Sequence, residues 1–204
     1  MKRTASMLSV FVATAIPQFS SADGTQPSFD CQKASSSAEE LICADDKLAS
    51  LDRRLAKKFS AALEAAKSMD AGSEAAVKEL RAFQRGWIKG RDDCWKADDL
   101  KACVTDAYLQ REGQLVTQWM LQEPAQVVSF ACDGNPANEV TAMFFDTELP
   151  SVRLEYGDSI DSGSLVRTAS GSRYNASFGR FLWIKGEEAT FVWQEGEKMS
   201  CVLQ

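Results

Sequence analysis

The sequence predicts two domains, an N-terminal all-α antiparallel helical bundle and a C-terminal all-β domain. Apolar residues recur at spacings of three and four from Ser35 to about Gln122, as in amphipathic helices. After Pro124 apolar and polar residues alternate in short segments separated by glycines, the pattern of antiparallel strands. An even set of six cysteines is spread over both halves. We place the domains at residues 28–122 and 127–204.

A short apolar segment precedes the first domain. Lys2 and Arg3 are followed by the apolar run from Met7 to Ile16 and by the small residues Ser20-Ser21-Ala22, the order of a secretory signal peptide. The run is too short to span a bilayer, and no cysteine follows it directly to carry a lipid. We therefore predict a signal peptide over residues 1–22, cleavage near Ala22, and a periplasmic protein with no membrane anchor.

Composition limits the chemistry that this chain can perform. The formal charge of −6 becomes −8 once Lys2 and Arg3 are removed, which favours a basic partner over nucleic acid. The chain has no histidine, so Ser-His-Asp and Cys-His catalysis are excluded. It also has no Cys-x-x-Cys pair for zinc. A pair of carboxylates remains formally open, but no spacing singles one out. We predict no catalytic residue, no metal and no cofactor.

The helices can be placed from their caps and apolar stripes. Ser36 or Ser37, followed by Glu39 or Glu40, resembles a capping box. Asp45 can cap a second helix, which ends at the break Met69-Asp70-Ala71-Gly72. The predicted stripes of helices two, three and four are Leu48, Leu51, Leu55, Phe59 and Leu63; Val77, Leu80, Phe83 and Trp87; and Leu100, Val104, Ala107, Leu115 and Trp119. One stripe per helix with short connections predicts an antiparallel bundle.

The strands are predicted from alternation. Val152, Leu154 and Tyr156 alternate with polar residues. The same pattern runs through Ala189, Phe191 and Trp193, and glycines punctuate the segments at Gly134, Gly157, Gly171, Gly186 and Gly196. These features are typical of an all-β sandwich or barrel.

The cysteines agree with export to an oxidising compartment, where disulfides persist. Six cysteines allow many connectivities, and the sequence does not choose among them. Proximity along the chain suggests the pairs 31–43, 94–103 and 132–201, formed by Cys31, Cys43, Cys94, Cys103, Cys132 and Cys201. The last pair would tie the first strand of the β domain to its last.

The helical half resembles the N-terminal domain of the LprI family of lysozyme inhibitors over about residues 29–116. The resemblance rests on Ile42-Cys43-Ala44 and Leu51-Asp52, followed by Gln84-Arg85-Gly86-Trp87 and Arg91-Asp92-Asp93-Cys94. It marks no chemically obvious site in this half. We expect Asp52 to pair with an arginine of the facing helix and Trp87 to pack between the helices.

The β half resembles the MliC/PliC family of inhibitors of c-type lysozyme over about residues 127–204. One family motif, Ser-Gly-Ser-Gly-Ala-Lys/Arg-Tyr, stands here as residues 168–174, TASGSRY. A second, an aromatic pair before x-Lys-Gly-x-Glu-Ala, stands as residues 182–189, LWIKGEEA. The departures from the family pattern are Phe130, Thr168, Ala169, Ser172 and Leu182. They preserve size and hydropathy, so affinity and target range are affected more than the fold.

This resemblance implies an eight-stranded antiparallel barrel whose two motifs form loops that enter the lysozyme cleft. It assigns Ser170 and Lys185 to the catalytic carboxylates of the enzyme. Tyr174 and Arg173 would support the loop or its rim. Gly171 and Gly186 would allow tight turns. We expect the aromatic residues Trp183 and Phe191 to lie in the barrel core.

Two classes of function follow from these observations. The first is a periplasmic inhibitor of c-type lysozyme, in which the barrel blocks the cleft and the helical domain adds a second contact or widens the target range. The alternative is an envelope scaffold or ligand-binding module that recognises a small apolar molecule or a peptidoglycan fragment. Homodimer formation is left open by the sequence.

Overall fold

A computed structural model of the chain describes residues 26–194 and 196–204. The predicted signal peptide and its cleavage site lie outside the described residues. Four α-helices are followed by a closed barrel of eight antiparallel strands. The predicted fold class is therefore confirmed, including the eight-stranded barrel that the resemblance implied for the β half.

The first two helices begin at the polar residues that the sequence indicated. Ser36 caps the first helix by accepting from the backbone N–H of Glu39, and Asp45 caps the second. The Glu39 carboxylate accepts from the backbone N–H of Ser35 at 2.9 Å. In a capping box it would accept from the N-cap residue Ser36, one position later. The helices are α1 Ser37–Ala44, α2 Asp46–Lys67, α3 Ser73–Asp92 and α4 Leu100–Trp119.

A buried polar chain joins three of these helices. The hydroxyl of Tyr108 donates to Asp52 Oδ1 at 2.8 Å and accepts from Arg91 Nη1 at 3.0 Å. The expected direct pair between Asp52 and an arginine is therefore wrong, because the tyrosine hydroxyl, which is both donor and acceptor, stands between them. Trp87 packs edge-on against Tyr108, with ring centroids 5.2 Å apart, and bonds the carbonyl of Ala107.

The third helix departs from its predicted stripe at Phe83. Leu80 is buried, but the Phe83 side chain is 58% exposed. Three residues further along a helix lie about 60° around its axis, and here that rotation moves Phe83 off the buried face. The prediction that Phe83 packs in the helical core is wrong.

The barrel closes by simple neighbour pairing. Each strand pairs antiparallel with the next, and β1 pairs with β8. The strands are β1 Gln126–Cys132, β2 Asn135–Phe145, β3 Ser151–Tyr156, β4 Ser159–Val166, β5 Ser172–Asn175, β6 Phe181–Lys185, β7 Glu188–Val192 and β8 Lys198–Leu203. Large side chains fill the interior, among them Phe130, Leu154, Leu182 and Phe191. The interior is thus a packed core, as in other barrels of this size.

Three disulfides join the pairs that proximity suggested, Cys31–Cys43, Cys94–Cys103 and Cys132–Cys201. The third links directly paired residues of β1 and β8. It therefore fastens the seam at which the barrel closes.

The two domains pack through α4, which lies against β2, β3 and β4. A Cβ atom at Gly113 would lie 3.0 Å from the Cβ of Ser151, a tight contact, so the absence of a side chain favours this close approach. Thr117 Oγ1 donates to Ser162 Oγ at 2.7 Å. Arg153 Nη1 donates to the carbonyl of Gln118 at 3.1 Å, at the carboxyl end of α4, where a cation also complements the helix dipole.

An ion pair strengthens the same junction. Arg54 Nη2 of α2 lies 2.6 Å from Glu112 of α4 and 2.8 Å from Glu148 in the loop between β2 and β3.

Within residues 26–194 and 196–204, none of the helices combines the length and the apolar character needed to cross a bilayer.

Candidate functional site

Two exposed loops meet at one end of the barrel. Ser170 lies in the connection between β4 and β5, and Lys185 is the last residue of β6 before the turn Gly186-Glu187. Ser172 of β5 pairs with Ile184 of β6, so the residues just beyond that pair are neighbours across the strand ends. The structure therefore brings together the two loops that carry the residues the motifs singled out.

Trp183 connects the two loops. Its indole Nε1 donates to the carbonyl oxygen of Ser170 at 3.0 Å. The Nζ atom of Lys185 lies 3.7 Å from the centroid of the same ring, a cation–π contact. Trp183 is half-buried on the outside of the barrel, so its predicted place in the core is wrong. Phe191 is fully buried, as predicted.

Gly171 permits the close approach of the loops. Its φ is +69°, and a Cβ atom there would stand 2.2 Å from the carbonyl oxygen of Ile184 and 2.9 Å from Cγ of Lys185. A side chain is thus opposed both by the backbone conformation and by the neighbouring loop. Gly186 also has a positive φ, +65°, but faces open space. Its requirement for glycine is one of backbone conformation alone.

A threonine inside the first loop fixes its shape. Thr168 Oγ1 donates to the carbonyl oxygens of Ser170 and Gly171, at 3.1 and 2.9 Å. The carbonyl of Ser170 therefore accepts from both Thr168 and Trp183. These bonds leave the Ser170 backbone anchored while its side chain is exposed.

Arg173 and Tyr174 flank the loop in different ways. The guanidinium carbon of Arg173 lies 3.9 Å from the ring centroid of Phe181, and its Nε donates to Asn175 at 2.8 Å. Tyr174 is only 8% exposed and packs against Phe144, with centroids 5.3 Å apart. Burial raises the pKa of the Tyr174 phenol. Its position allows support of the loop from inside the barrel, whereas Arg173 lies at the rim.

The arrangement presents a hydroxyl and an ammonium to solvent. In the part of the chain that the structure describes, no hydrogen bond engages the Ser170 side chain and no carboxylate pairs with Lys185. The two groups together supply donors for an anionic partner. The described residues contain no cluster of acidic or sulfur side chains suited to a metal ion.

The sequence motifs did not reveal Thr168 and Trp183 as organisers of the site. Thr168 stood out only as a departure from a family pattern. Trp183 lies in the continuous apolar run Phe181-Leu182-Trp183-Ile184, where alternation between the two faces of a strand cannot be read. The buried position of Leu182 is what places Trp183 on the opposite face.

The barrel and the helical half each match the model of an inhibitor family. Residues 130–200 match the family described as membrane-bound lysozyme-inhibitor of c-type lysozyme. Residues 31–115 match the family described as lysozyme inhibitor LprI. Both resemblances inferred from the motifs are confirmed, in the predicted order along the chain.

Individual relatives carry the second of these names. The chain is 32% identical over 119 residues to Lipoprotein LprI of Mycobacterium bovis and to Lipoprotein LprI of Mycobacterium tuberculosis. The match covers 58% of this chain and 55% of each relative. The chain thus spans about half the length of the curated relatives it matches.

Proposed function

We propose that the protein is a periplasmic inhibitor of c-type lysozyme that inserts the Ser170 and Lys185 loops into the active-site cleft of the enzyme. One observation carries the proposal. Trp183 bonds the backbone carbonyl of Ser170 and contacts the ammonium of Lys185, so it links the two exposed loops within a domain that matches a family of c-type lysozyme inhibitors.

The chemistry of the two groups suits the proposed target. Retaining glycosidases hold two catalytic carboxyl groups about 5 Å apart. An ammonium with three donors can approach one carboxylate through a narrow opening, and a hydroxyl can donate to the other. Lys185 must leave the ring of Trp183 to do so, which costs about 0.5–1 kcal/mol at an exposed site. A charged hydrogen bond contributes about 1.5–3 kcal/mol, so the exchange favours binding.

Two contacts do not by themselves account for tight inhibition. Association also costs translational, rotational and side-chain entropy, so surrounding surface must contribute shape and apolar contact. Residues 127–204 contain six basic and eleven acidic residues. That excess of negative charge would accelerate encounter with a basic enzyme such as c-type lysozyme. The helical domain would add a second contact or widen the target range.

The proposal makes the protein a binder with no reaction of its own. The chain has no histidine, and both of its matched families are described as inhibitors. Occupation of the cleft is sufficient for inhibition, because the substrate and the loops compete for the same groove. Salt should weaken the interaction by screening the long-range attraction.

A lytic assay with purified protein and a c-type lysozyme tests the proposal. We expect lysis to fall with added protein, and the double variant Ser170→Ala/Lys185→Ala to inhibit at least about 100-fold more weakly, since two charged contacts are lost. The matched control is Ser159→Ala/Lys198→Ala, which removes an exposed serine and lysine from the opposite end of the barrel.

Two results would count against the proposal in different ways. Undiminished lysis at several-fold molar excess of the wild-type protein would refute the inhibitor function. Inhibition by the Ser170/Lys185 double variant equal to that of the control would leave the function and refute the two residue roles.

A further inference from the structure

A groove lies between the helical domain and the barrel. It separates α3 and α4 from the beginning of β4 and has a volume of about 430 Å³, within the range of small-molecule sites. Its walls include Leu80, Phe83, Arg111, Trp119, Ile160 and Ser162. The proposed lysozyme-binding function uses none of these residues.

Arg111 is a buried cation in the wall of this groove. Its side chain is only 5% exposed. Nε donates to the amide oxygen of Gln84 at 3.0 Å and Nη1 to that of Gln114 at 3.3 Å. No carboxylate lies within ion-pair distance of it among the described residues, and Nη2 has no acceptor. Burial without a counter-ion lowers the pKa of Arg111 to about 10.

Two other arginines of the fold, the buried Arg91 and the half-buried Arg180, show what Arg111 lacks. Arg91 is 4% exposed and lies 2.7 Å from a carboxylate oxygen of Asp92. Arg180 lies 3.0 Å from Asp161. Buried charges in proteins are normally paired in this way. Arg111 is bonded only to two neutral amides, so its positive charge remains uncompensated.

A second residue of the groove wall also carries a donor that lacks an acceptor. The indole Nε1 of Trp119 is buried and has no hydrogen-bond partner. The acids of the groove do not serve these donors. Asp161 is engaged by Arg180 and Ser177, and Glu79 is exposed with no ion pair in the described part of the chain. The unmet Nη2 of the Arg111 cation, together with the unmet indole N–H of Trp119, calls for an anionic acceptor.

Part of the remaining wall is apolar and open to solvent. Phe83 is 58% exposed, Ile160 49% and Met69 45%. Such residues line the groove rather than a core, so they can cover the apolar body of a ligand. The Arg111 charge and the apolar surface together fit a ligand that has an anionic group and an apolar body.

We propose that the groove between the two domains binds a small carboxylate with an apolar body, with the carboxylate on Arg111 and the apolar body against Phe83 and Ile160. Arg111 Nη2 is covered in the structure, so binding requires a side chain to move. Gln114 also lines the groove, and its bond to Arg111 Nη1 is long, at 3.3 Å, so its movement would free that nitrogen for the ligand. A fatty acid and a short peptide with an apolar carboxyl terminus share the required chemistry.

The groove and the paired loops can be occupied together. Ile160 and Ser162 lie at the beginning of β4, whereas Ser170 follows the end of the same strand. This second site therefore goes beyond the proposed inhibition of lysozyme. A ligand there would bind the helical domain and the barrel at once and thus stabilise their docking.

Calorimetric titration of the purified protein tests the site with two probe pairs. The first is octanoate against octanamide, and the second is N-acetyl-Ala-Leu-Leu as free acid against its amide. We expect one-to-one binding of at least one acid, with the matching amide at least tenfold weaker. Arg111→Met should weaken binding of that acid ten- to a hundredfold, the range for a lost charged hydrogen bond. The matched control is Arg85→Met, which removes an exposed arginine of α3.

A second variant guards against loss of folding in Arg111→Met. Phe83→Asp changes an exposed residue at the groove and places a like charge beside the ligand, so it should weaken acid binding at least tenfold. Binding of octanoate alone would identify a fatty acyl carboxylate, and binding of the peptide acid alone a peptide terminus. The proposal is overturned if neither acid saturates the protein at millimolar concentration, if acids and amides bind equally, or if Arg111→Met and Phe83→Asp both bind like wild type.

Discussion

At Gly171 the chain accepts no side chain, and the arrangement of both loops depends on this residue. The change Gly171→Ala places a Cβ atom 2.2 Å from the carbonyl oxygen of Ile184, so the loops must separate. We expect inhibition of lysozyme to weaken at least tenfold, which a lytic assay would measure. Gly134→Ala is the control, because Gly134 has a similar φ of +66° but open space around it.

The two glycine variants should also differ in stability. Gly134→Ala bears only the cost of a left-handed conformation, about 1–2 kcal/mol. Gly171→Ala bears that cost and the collision, so its free energy of unfolding should fall further. Equal inhibition and equal stability of the two variants would show that contact between the loops is unimportant.

Tyr108 provides a residue-scale test of the helical domain. Tyr108→Phe leaves Asp52 Oδ1 and Arg91 Nη1 without their shared partner. We expect the free energy of unfolding to fall by about 1–3 kcal/mol, the cost of leaving buried groups unsatisfied. Chemical denaturation would measure it.

The control for Tyr108→Phe is Tyr156→Phe in the barrel. The Tyr156 hydroxyl reaches only the sulfur of Met199, at 3.8 Å, and thioether sulfur is a weak acceptor. Its removal should cost a few tenths of a kcal/mol at most. A loss as large as that of Tyr108→Phe would contradict the importance of the buried chain.

At the scale of elements, helices and strands are best predicted where the apolar residues of a segment follow one clear spacing. The caps at Ser36 and Asp45 are local chemistry, and β3 alternates clearly, so these elements could be placed in advance. The β6 strand could not be assigned an inner face, because four successive apolar residues conceal which of them point inward. Phe83 shows a related difficulty in a helix, because it lies at the flank of the apolar stripe and its side chain is 58% exposed.

The disulfide between β1 and β8 should stabilise the protein more than the one before α2. In the chain-entropy model the Cys132–Cys201 bridge, with a separation of 69 residues, contributes about 4 kcal/mol. The Cys31–Cys43 bridge, with a separation of 12, contributes about 3 kcal/mol. Denaturation of the two double alanine variants would compare them.

The two disulfide variants should also differ in the temperature at which they lose inhibition of lysozyme. Cys132→Ala/Cys201→Ala opens the closure between the first and last strands, so inhibition should be lost at a lower temperature than in wild type. The Cys31–Cys43 disulfide lies outside the barrel. Cys31→Ala/Cys43→Ala should therefore leave that temperature nearer the wild-type value. The reverse order would mean that the seam does not limit barrel stability.

At the scale of the whole molecule, Gly113 controls how closely the domains dock. Gly113→Leu puts a large side chain where even a Cβ atom would lie 3.0 Å from Ser151. We expect the helical domain and barrel to unfold in two separate thermal transitions, because their contact is lost while each core remains. Differential scanning calorimetry would resolve them.

Gly90→Leu is the matched control for Gly113→Leu. Gly90 lies in α3, and a Cβ atom at this residue would meet no atom within 4 Å outside its own helix backbone. Leucine there should therefore leave the number of transitions unchanged. A single transition in Gly113→Leu at the wild-type temperature would contradict the docking role of Gly113.

Docking itself could not be read from the sequence. The contacts involve a glycine, a threonine hydroxyl and an arginine, namely Gly113, Thr117 and Arg153. None of these residue types forms a periodic signal. The organisation into two domains was therefore predictable, whereas the groove between them emerges only when both domains are placed in three dimensions.

The contact between Gly171 and Ile184 has a consequence for engineering. Because one loop rests on the backbone of the other, and because Trp183 bonds the first while lying under Lys185, neither loop can be lengthened or exchanged alone. Transfer of binding specificity between related barrels should require residues 168–186 to move as one cassette. Libraries that vary the two loops independently would mostly contain combinations in which the loops cannot pack against each other.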